Sequence, residues 1–425
     1  MPAVIVSHAV CMFCGALCDD LELVVEGDRI ADVRKACAIG KQKFLHYQRP
    51  LLSPAVDGKE VDPGTAIRAA ADILRQARYP LIYGLSSTTC EGQVAAVELA
   101  AAIGASIDST SSVCHGPSTM AKQIVGVSTA TLGEVKNRAD LVIFWGCNPA
   151  ESHLRHFSRY SVTPRGLLTP GGRKDRRVVV VDVRPTPTAR AADMFLQIAP
   201  GGDYRALSAL RAIVKGERPE GEEVAGVPLE RWEELARVCR AARYGMLFFG
   251  MGLTMSRGRY MNVVAALSLV RDLNAFTRFA GMAMRGHGNV AGSEQTLAWT
   301  TGYPFAVNFS RGTPRYNPGE FTAVDLLARG EADAALVVAS DPAAHFPAAA
   351  ARHLQRIPTI AIEPHPTITT RLASVVIPCA VSGVSAAGTA YRMDGVPLRV
   401  KKVIPCPDPS DAEILASIRE EVRQC

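Results

Sequence analysis

Short apolar runs alternate with alanine-rich amphipathic segments along most of this 425-residue chain. The runs have the length of β-strands and lie at 79–87, 139–149, 176–185, 246–252, 334–342, 357–367 and 373–381. Helix-forming segments such as "TAIRAAADILRQAR" and "EGQVAAVELAAAIG" separate them. Continuously apolar strands are buried on both faces, so the pattern predicts mostly parallel sheets covered by helices. Seven such strands fit two α/β/α units better than one sheet.

The two ends of the chain have a different character. The stretch "LELVVEGDRIADV" predicts two short strands around the turn Gly27-Asp28, and "AAGTAYRMDGVPLRVKKV" predicts a hairpin with its turn at Asp394-Gly395. The proline-rich "QRPLLSPAVDGKEVDPGT" marks a domain boundary. We therefore expect four parts: a small β-rich domain at 1–54 with about 380–405, a first α/β domain at 55–112 plus 316–379, a second at 113–315, and a C-terminal tail at 406–425.

Composition excludes several classes of protein. Apolar residues make up 48% and charged residues 21%, as in an ordinary globular protein, and the net charge is only +6 without a basic block, so a nucleic-acid partner is not expected. No apolar run approaches the ~20 residues of a membrane span. The N-terminus has no charged segment of the kind that opens a signal peptide, so we expect a cytoplasmic protein with reduced cysteines.

Four cysteines form a cluster near the N-terminus, at Cys11, Cys14, Cys18 and Cys37. Three thiols within eight residues and a distant fourth could form disulfides, hold zinc, hold an iron–sulfur cluster or be the unliganded remains of such a site. The expected compartment disfavours disulfides. Zinc sites usually show two CxxC pairs, whereas a 4Fe–4S cubane needs one ligand for each of four irons, so the spacing favours the cubane.

Two further segments carry chemically active side chains. In "SSVCHGPSTMA", Gly116 and Pro117 predict a turn that presents Cys114 and His115 at its apex, although a buried loop cysteine is the alternative. The glycine-rich 281–312 is predicted to be a functional loop. Within it, Arg285 could hold a carboxylate by two parallel hydrogen bonds or could form a structural salt bridge.

Several predicted strands end in a polar or glycine-bearing turn, such as "WGCNPAESH", "VDVRPTPTA", "GMGLTM" and "ASDPAAH". Ligands of open α/β sheets bind beyond the carboxyl ends of the strands. Each turn alone could be an ordinary strand–helix connection, but together they predict one large phosphorylated ligand. None of them is a P-loop or a clean GxGxxG.

In their order along the chain, these segments resemble the molybdopterin oxidoreductase superfamily, and more narrowly the B subunit of formylmethanofuran dehydrogenase. The motifs are "CMFCGALCDD", "VCHGPST", "WGCNPAESHLRH", "RGHGNVAG", "TTGYPFAVNFSRGTPRYNPGE" and "GTAYRMDGVPLR". The resemblance implies a tungsten or molybdenum ion held by two pyranopterin guanine dinucleotides, with a 4Fe–4S cluster on the four N-terminal cysteines. It also implies that Cys114 ligates the metal and that His115 and Arg285 handle proton transfer and carboxylate placement.

The resemblance further implies which residues bind the pterin dinucleotides. These are Asn148, Glu151, Ser152, Asp182, Arg184, Gly250, Gly252, Asp341, Gly388 and Thr389. Lys41 or Lys43 is expected between cluster and pterin, because both follow Cys37 closely.

Two functions follow from the resemblance. The first is the catalytic subunit that interconverts CO2 and formate by two electrons, working with an amidohydrolase-like A subunit, a C subunit and a further protein that supplies a C-terminal barrel absent from this sequence. The second is a non-redox structural subunit of a bacterial formyltransferase/hydrolase complex, which releases formate from a formyl-pterin carrier. In that case neither metal nor cluster need be loaded.

Overall fold

A computed structural model describes residues 3–424. The strands are, in chain order, β1 (Val4–Ala9), β2 (Leu21–Glu26), β3 (Arg29–Arg34), β4 (Ala55–Val56), β5 (Lys59–Glu60), β6 (Pro80–Gly84), β7 (Ser106–Ser109), β8 (Leu141–Trp145), β9 (Arg177–Asp182), β10 (Met194–Gln197), β11 (Glu223–Val224), β12 (Val227–Pro228), β13 (Tyr244–Phe249), β14 (Arg278–Ala283), β15 (Val307–Asn308), β16 (Arg315–Tyr316), β17 (Ala334–Val338), β18 (Thr359–Ile362), β19 (Val375–Ile377), β20 (Gly388–Tyr391) and β21 (Pro397–Val400).

The α-helices are α1 (Ala38–His46), α2 (Pro63–Gln76), α3 (Cys90–Ile103), α4 (Gly116–Val125), α5 (Leu132–Arg138), α6 (Pro149–Ser152), α7 (Pro187–Arg190), α8 (Asp203–Val214), α9 (Leu229–Ala241), α10 (Met251–Thr254), α11 (Tyr260–Leu273), α12 (Val290–Thr301), α13 (Ala323–Ala328), α14 (Pro342–His345), α15 (Ala348–Leu354), α16 (Ile368–Leu372) and α17 (Asp411–Arg423). They form two compact units: residues 1–113 with 287–425 (unit 1), and 114–286 (unit 2).

Unit 1 is built on a nine-stranded sheet of order β16-β15-β7-β6-β17-β18-β19-β4-β5. Its five central strands, from β7 to β19, are parallel, and short antiparallel strands close both edges. Most of the parallel strands are continuously apolar, which agrees with helices covering both faces. The strand order reverses between β6 and β17, so the carboxyl ends of these two strands form the switch point of the sheet.

A small β-domain within unit 1 joins the two ends of the chain. Strands β1 to β3 form an antiparallel sheet, and β20 and β21 form the predicted hairpin. The hairpin and the N-terminal segment share one apolar core, which contains Met12, Leu17, Ala390 and Val400. The expected pairing of the N-terminal segment with residues near 380–405 therefore agrees with the packing seen inside unit 1.

Unit 2 contains a five-stranded sheet of order β10-β9-β8-β13-β14, in which every pairing is parallel. Its core includes Trp145 and Trp232, whose rings stack with centroids 6.0 Å apart. The order reverses between β8 and β13, which places a second switch point at the ends of these strands. The predicted α/β class with mostly parallel sheets is confirmed.

Three expectations differ from the structure. The second α/β unit ends at Gly286 rather than at 315. The predicted loop 281–312 contains a buried helix, α12, whose small and hydroxyl-bearing residues pack on α3 and hide any clear amphipathic pattern. The predicted C-terminal tail contains α17, because Ile414, Leu415 and Ile418 are buried in the core of unit 1.

Between residues 3 and 424 there is no helix with the length and apolarity that a bilayer crossing requires.

Candidate active site

The switch point of unit 2 brings two strand-end loops into backbone contact. Gly252 N–H donates to the Gly146 carbonyl at 3.0 Å, and Gly250 N–H donates to the Trp145 carbonyl at 3.1 Å. A Cβ added at Gly250 would lie 2.5 Å from Cys147 Cβ, and one at Gly252 would lie 2.6 Å from Gly146 Cα. These glycines therefore allow two chain segments to meet, a cradle that any larger residue would fill.

Cys114 and His115 lie directly before helix α4 in unit 2, and both are buried, with Cys114 5% exposed. They lie in a turn outside the helix, as predicted, but the turn is buried, as in the alternative of a buried loop cysteine. Gly116 and Pro117 are instead the first residues of α4, where proline is favoured because the first helical N–H groups need no intrahelical acceptor. The thiol is thus held by a helix start rather than by a flexible loop.

His115 is fixed through both ring nitrogens. Its Nδ1 lies 2.9 Å from Ser118 Oγ, and its Nε2 lies 3.1 Å from the Met284 carbonyl. Burial, with the nearby Arg285 guanidinium, lowers the pKa of His115 to about 3, so the ring is neutral. A carbonyl only accepts, so Nε2 carries the proton and Nδ1 accepts from the Ser118 hydroxyl.

His153 repeats this arrangement on the next carbonyl along the chain. Its Nε2 donates to the Arg285 carbonyl at 2.8 Å, while its Nδ1 lies 2.8 Å from Ser152 Oγ. Burial lowers the pKa of His153 as well. Two neutral histidines thus hold the consecutive carbonyls of Met284 and Arg285, and Arg285 is only 3% exposed. Sequence reasoning missed His153, although "HLRH" directly follows a predicted strand end.

The other predicted ligand-binding residues of unit 2 also lie beyond strand ends. Asn148 accepts at Oδ1 from the Thr188 hydroxyl at 2.6 Å, but its buried Nδ2 has no partner within residues 3–424. Asp182 ends β9 and accepts from Arg184 N–H at 3.3 Å, and burial raises its pKa. Glu151 and Arg184 are exposed, as is Ser152 beside His153. The orphaned amide donor of Asn148 and the glycine cradle are compatible with a polar ligand at this edge.

In unit 1, the four N-terminal cysteines lie near enough to one another for their thiols to interact electrostatically. A Cβ added at Gly40 would lie 3.3 Å from Cys11 Sγ and 3.6 Å from Cys37 Sγ. Burial and the mutual repulsion of the thiolates raise the pKa of Cys14 to about 12 and hold that of Cys11 well above its usual range. Gly40 N–H donates to Cys37 Sγ at 3.3 Å. The backbone N–H of Phe13 donates to Cys11, and that of Ala16 donates to Cys14.

Four thiols are a donor set of the kind that takes either an iron–sulfur cluster or a zinc ion. Among residues 3–424, no group of three or more His, Cys, Asp or Glu side chains is arranged to hold a metal ion. A tetrahedral zinc site needs all four sulfurs about 2.3 Å from one centre, whereas a cubane places an iron behind each thiolate and holds the sulfurs further apart. The described cysteines are free thiols, so no disulfide competes for them.

The remaining predictions in unit 1 fall on a strand end and a hairpin. Asp341 follows β17 and accepts from Thr369 N–H at 2.8 Å and from Thr369 Oγ1 at 2.7 Å, and these hydrogen bonds outweigh its burial and lower its pKa. Thr389 donates to Glu91 through both its N–H and its hydroxyl at 2.9 Å, and Gly388 gives Glu91 room to approach. Gly388 and Thr389 therefore anchor the hairpin to helix α3.

The two lysines near Cys37 make contacts within unit 1, and their expected place between cluster and pterin stays a prediction. Lys41 pairs with Asp32 at 2.9 Å, and Lys43 lies over the ring of Tyr47 at 4.6 Å. Sequence reasoning also missed His365, which follows β18 and packs edge-on against Tyr47 at 4.5 Å. Both its ring nitrogens are buried without a hydrogen-bond partner among residues 3–424, so it is a further candidate for ligand contact.

These features define an α/β protein with mostly parallel sheets, which is consistent with a molybdopterin oxidoreductase-like fold. The solved acetylene hydratase from Pelobacter acetylenicus has this fold at 13% identity, with a TM-score of 0.68 over 98% of this chain and 70% of that chain. No family model matches the sequence.

Two curated relatives are much more similar. The B subunit of tungsten-containing formylmethanofuran dehydrogenase 2 from Methanocaldococcus jannaschii is 52% identical over 99% of both chains, and that of Methanococcus maripaludis is 48% identical over 98% of both. The chain belongs to the family of formylmethanofuran dehydrogenase B subunits and is thereby an oxidoreductase subunit. The resemblance inferred from the motifs is confirmed.

A bacterial branch is also similar. The B subunit of the formyltransferase/hydrolase complex Fhc of Methylorubrum extorquens is 31% identical over 87% of this chain and 96% of its own. The crystal structure of the FhcABCD complex from that organism, in complex with methylofuran, contains a chain that matches with a TM-score of 0.71, at 28% identity over 87% of this chain and 98% of that chain.

Proposed function

We propose that the chain is the redox-active subunit of a formylmethanofuran dehydrogenase and interconverts CO2 and formate by two electrons. The observation that carries the proposal is the convergence of Cys11, Cys14, Cys18 and Cys37, with backbone N–H groups directed at three of the four sulfurs. A scaffold has no physical need to retain four thiols in this arrangement. The 52% identity to a tungsten-containing relative supports the same function.

Cys114 would ligate tungsten or molybdenum, and the cysteine quartet would hold a 4Fe–4S cluster. Bound there, the metal with two pyranopterin guanine dinucleotides supplies two-electron chemistry, and the cluster exchanges the electrons singly. Asn148, Asp182 and the Gly250-Gly252 cradle would hold dinucleotide groups in unit 2. Asp341 and His365 would do so in unit 1, while Gly388 and Thr389 keep the hairpin in place.

Arg285 would orient the carboxylate of formate, because a planar guanidinium matches two carboxylate oxygens with two parallel N–H donors. His115 and His153 would keep the backbone around Arg285 fixed through their Nε2–H donors. With both nitrogens engaged, His115 is better suited to holding this arrangement than to exchanging protons, which revises the role expected from the sequence.

The second candidate is a non-redox structural subunit of a formyltransferase/hydrolase complex. Its support is the similarity to the Methylorubrum extorquens B subunit and the fold match to the FhcABCD complex. With either function the chain works within a multi-subunit complex. The partners would be an amidohydrolase-like A subunit, a C subunit, and either a barrel protein or a formyltransferase.

Elemental analysis of the purified native complex tests the choice. We expect about four irons and one tungsten or molybdenum per copy of this chain. Cys37→Ser should lower iron, and Cys114→Ser should release tungsten or molybdenum while leaving iron in place. Cys239→Ser, at a buried thiol in the core of unit 2, is the control. Iron, tungsten and molybdenum all at background in a native complex that still releases formate would establish the structural role instead.

A further inference from the structure

One loop of unit 2 exposes two adjacent leucines. In residues 163–172, here called the dileucine loop, Leu167 is 80% exposed and Leu168 is 51% exposed. Leu167 is the most exposed large apolar side chain within residues 3–424. A single exposed leucine needs no explanation, but a projecting pair on one loop tip does.

The tip of this loop is held rigidly. Gly166 and Thr169 exchange backbone hydrogen bonds of 3.1 and 3.3 Å around the two leucines. Asn137 fixes both leucine amides, since its Oδ1 accepts from Leu167 N–H at 3.1 Å and its carbonyl accepts from Leu168 N–H at 2.8 Å. The leucines are therefore presented in one backbone conformation, and binding would not have to order the loop.

A buried arginine supports the loop from beneath. The guanidinium of Arg176 donates to the carbonyls of Ala139, Val162, Pro164 and Lys136 and to the Thr169 hydroxyl, at 2.5 to 3.4 Å. A buried charge is costly unless such bonds satisfy it. These bonds all end on the loop and the segments beside it, so they fix the shape of the loop itself.

The surface around the dileucine loop is positively charged. Arg165, Lys174 and Arg237 have no ion-pair partner within residues 3–424. Of the nearby acids, Asp140 pairs with Arg243 and Glu234 pairs with Arg177, both at 3.1 Å, whereas Asp175 only accepts from the Gly171 amide at 2.6 Å and keeps its charge. Three unpaired cations against this one carboxylate leave a net positive charge for a partner.

A shallow pocket adjoins the leucines. It has a volume of about 330 Å³ and is lined by Arg177, Arg237 and Asp140 with the apolar Leu141, Val238, Ala241 and Ala242. Arg243 connects the pocket to the loop, because it contacts both Asp140 and the Leu168 carbonyl. The surface thus combines an apolar projection, an apolar recess and a group of cations.

We propose that the dileucine loop and this pocket dock another subunit of the enzyme complex, through an apolar recess on that subunit rimmed by aspartate and glutamate. Charge complementarity selects an acidic partner. A rigid, two-residue projection beside a recess suits a shaped protein surface. A fluid bilayer would need a broader apolar face, and single-stranded nucleic acid would need stacking aromatic side chains. The proposal rests on the chain working in a complex, which holds for either proposed function.

The test uses the tagged complex with Leu167→Asp and Leu168→Asp together. Native mass spectrometry should show that one other subunit is lost, with its affinity weakened about a hundredfold or more. Arg165→Glu with Lys174→Glu should weaken the same subunit about tenfold and reduce the salt dependence of its binding. Leu51→Asp, at a leucine that is 68% exposed in unit 1, is the matched control and should leave the complex whole.

A carbodiimide crosslink gives a second readout. It should join Lys174 Nζ to an aspartate or glutamate of the subunit that the double variant loses, and Lys174→Gln should abolish that crosslink. Retention of every subunit by the double variant would overturn the proposal. Two other results for the double variant would also overturn it: loss of a second copy of this chain alone, or loss of binding to phosphatidylglycerol vesicles with all subunits kept. Loss of the same subunit from the Leu51→Asp complex would overturn it as well.

Discussion

Both units have a backbone contact between the ends of their two central strands, but different residues form it. In each, the two central strands end in backbone contact where the strand order reverses. In unit 1, Leu85 N–H after β6 donates to the Val338 carbonyl of β17 at 3.1 Å, and in unit 2, Gly252 N–H donates to the Gly146 carbonyl at 3.0 Å. Unit 2 uses glycine on both sides of this contact. Unit 1 has a glycine on one side only, Gly84, whose added Cβ would lie 2.1 Å from the Val338 carbonyl oxygen, and it holds Leu85 and Ala339 in the left-handed region, at φ 70° and 48°.

The buried ionisable groups also differ. Unit 2 buries neutral histidines, and burial lowers the pKa of His156 to about 3. Unit 1 buries acids, and burial raises the pKa of Asp108 to about 6 despite three backbone N–H donors. Unit 2 therefore has fixed neutral donors around its buried catalytic candidate, Arg285, while unit 1 carries groups whose charge depends on pH.

The largest expected effect is on Arg285. Arg285→Lys should lower kcat/KM for formate about a thousandfold, or about 4 kcal/mol, because an ammonium cannot hold both carboxylate oxygens from a fixed backbone. Steady-state kinetics on the complex would measure this. Arg190→Lys, at an exposed arginine of α7, should change little, and metal content should match in both variants. A loss below tenfold for Arg285→Lys would show that the Arg285 guanidinium does not hold the carboxylate, and unit 2 would lose its catalytic candidate.

The second largest effect is expected from a substitution that disrupts the glycine contact of unit 2. Gly250→Ala should lower the free energy of unfolding of unit 2 by about 3 kcal/mol, since its Cβ would meet Cys147. Denaturant titration followed by tryptophan fluorescence reports mainly on this unit, because Trp145 and Trp232 are buried there, whereas Trp299 of unit 1 is already 53% exposed. Gly133→Ala, in helix α5 with ordinary contacts, is the control, and Ala339→Gly in unit 1 should have an effect near zero. Equal effects of Gly250→Ala and Gly133→Ala would show that the contact is not tight.

Most of the parallel strands could be predicted because each is apolar along its whole length, as in "LVIFW" and "RVVVVD". Strand β7, with the sequence "SIDS", could not, since it is buried through hydrogen bonds to Asp108 and Ser106 rather than through apolar side chains. Helix α12 was not predicted for a similar reason. It is held against α3 by hydrogen bonds of the Gln93 side chain with Thr296 and the Asn289 carbonyl. Because polar residues make these contacts, the sequence of α12 shows no hydrophobic periodicity.

The candidate site could be predicted where chemistry requires a residue type, as with the cysteine quartet and Arg285. It could not be predicted where the role comes from packing. Gly250 and Gly252 also pack against Gly146 and Cys147, and no local sequence pattern contains those contacts. His153 acts through a carbonyl more than a hundred residues away, at Arg285, and no local pattern contains that contact.

Acidification should change the stability contributions of His156 in unit 2 and Asp108 in unit 1 in opposite directions. A neutral buried histidine has a folded-state pKa below its unfolded value near 6.5, so the stability of unit 2 falls as pH drops below that value. For His156 the loss between about pH 7.5 and 5 should be about 2 kcal/mol. Asp108 has a raised pKa, so unit 1 should gain about 1 kcal/mol over the same range, as its folded state takes up the proton first.

Unfolding curves at the two pH values would measure both slopes, with tryptophan fluorescence for unit 2 and hydrogen exchange of β6 and β17 amides for unit 1. His156→Phe keeps the ring contacts with Phe144 and Phe248 and should remove about 2 kcal/mol of the pH dependence of unit 2. An unchanged slope in His156→Phe would mean that other groups control the acid response.

The smallest effect is expected for His153, which we assign as a positioning residue. Its Nε2–H holds the Arg285 carbonyl, so His153→Ala should raise KM for formate about tenfold with a smaller change in kcat, by loosening the arginine before substrate binds. Glutamine can place an amide N–H where Nε2 was, whereas asparagine reaches only as far as Nδ1. His153→Gln should therefore restore KM and His153→Asn should not. Equal KM values for the two amides would show that His153 only fills space, and that other contacts hold the segment after β14 that carries Arg285.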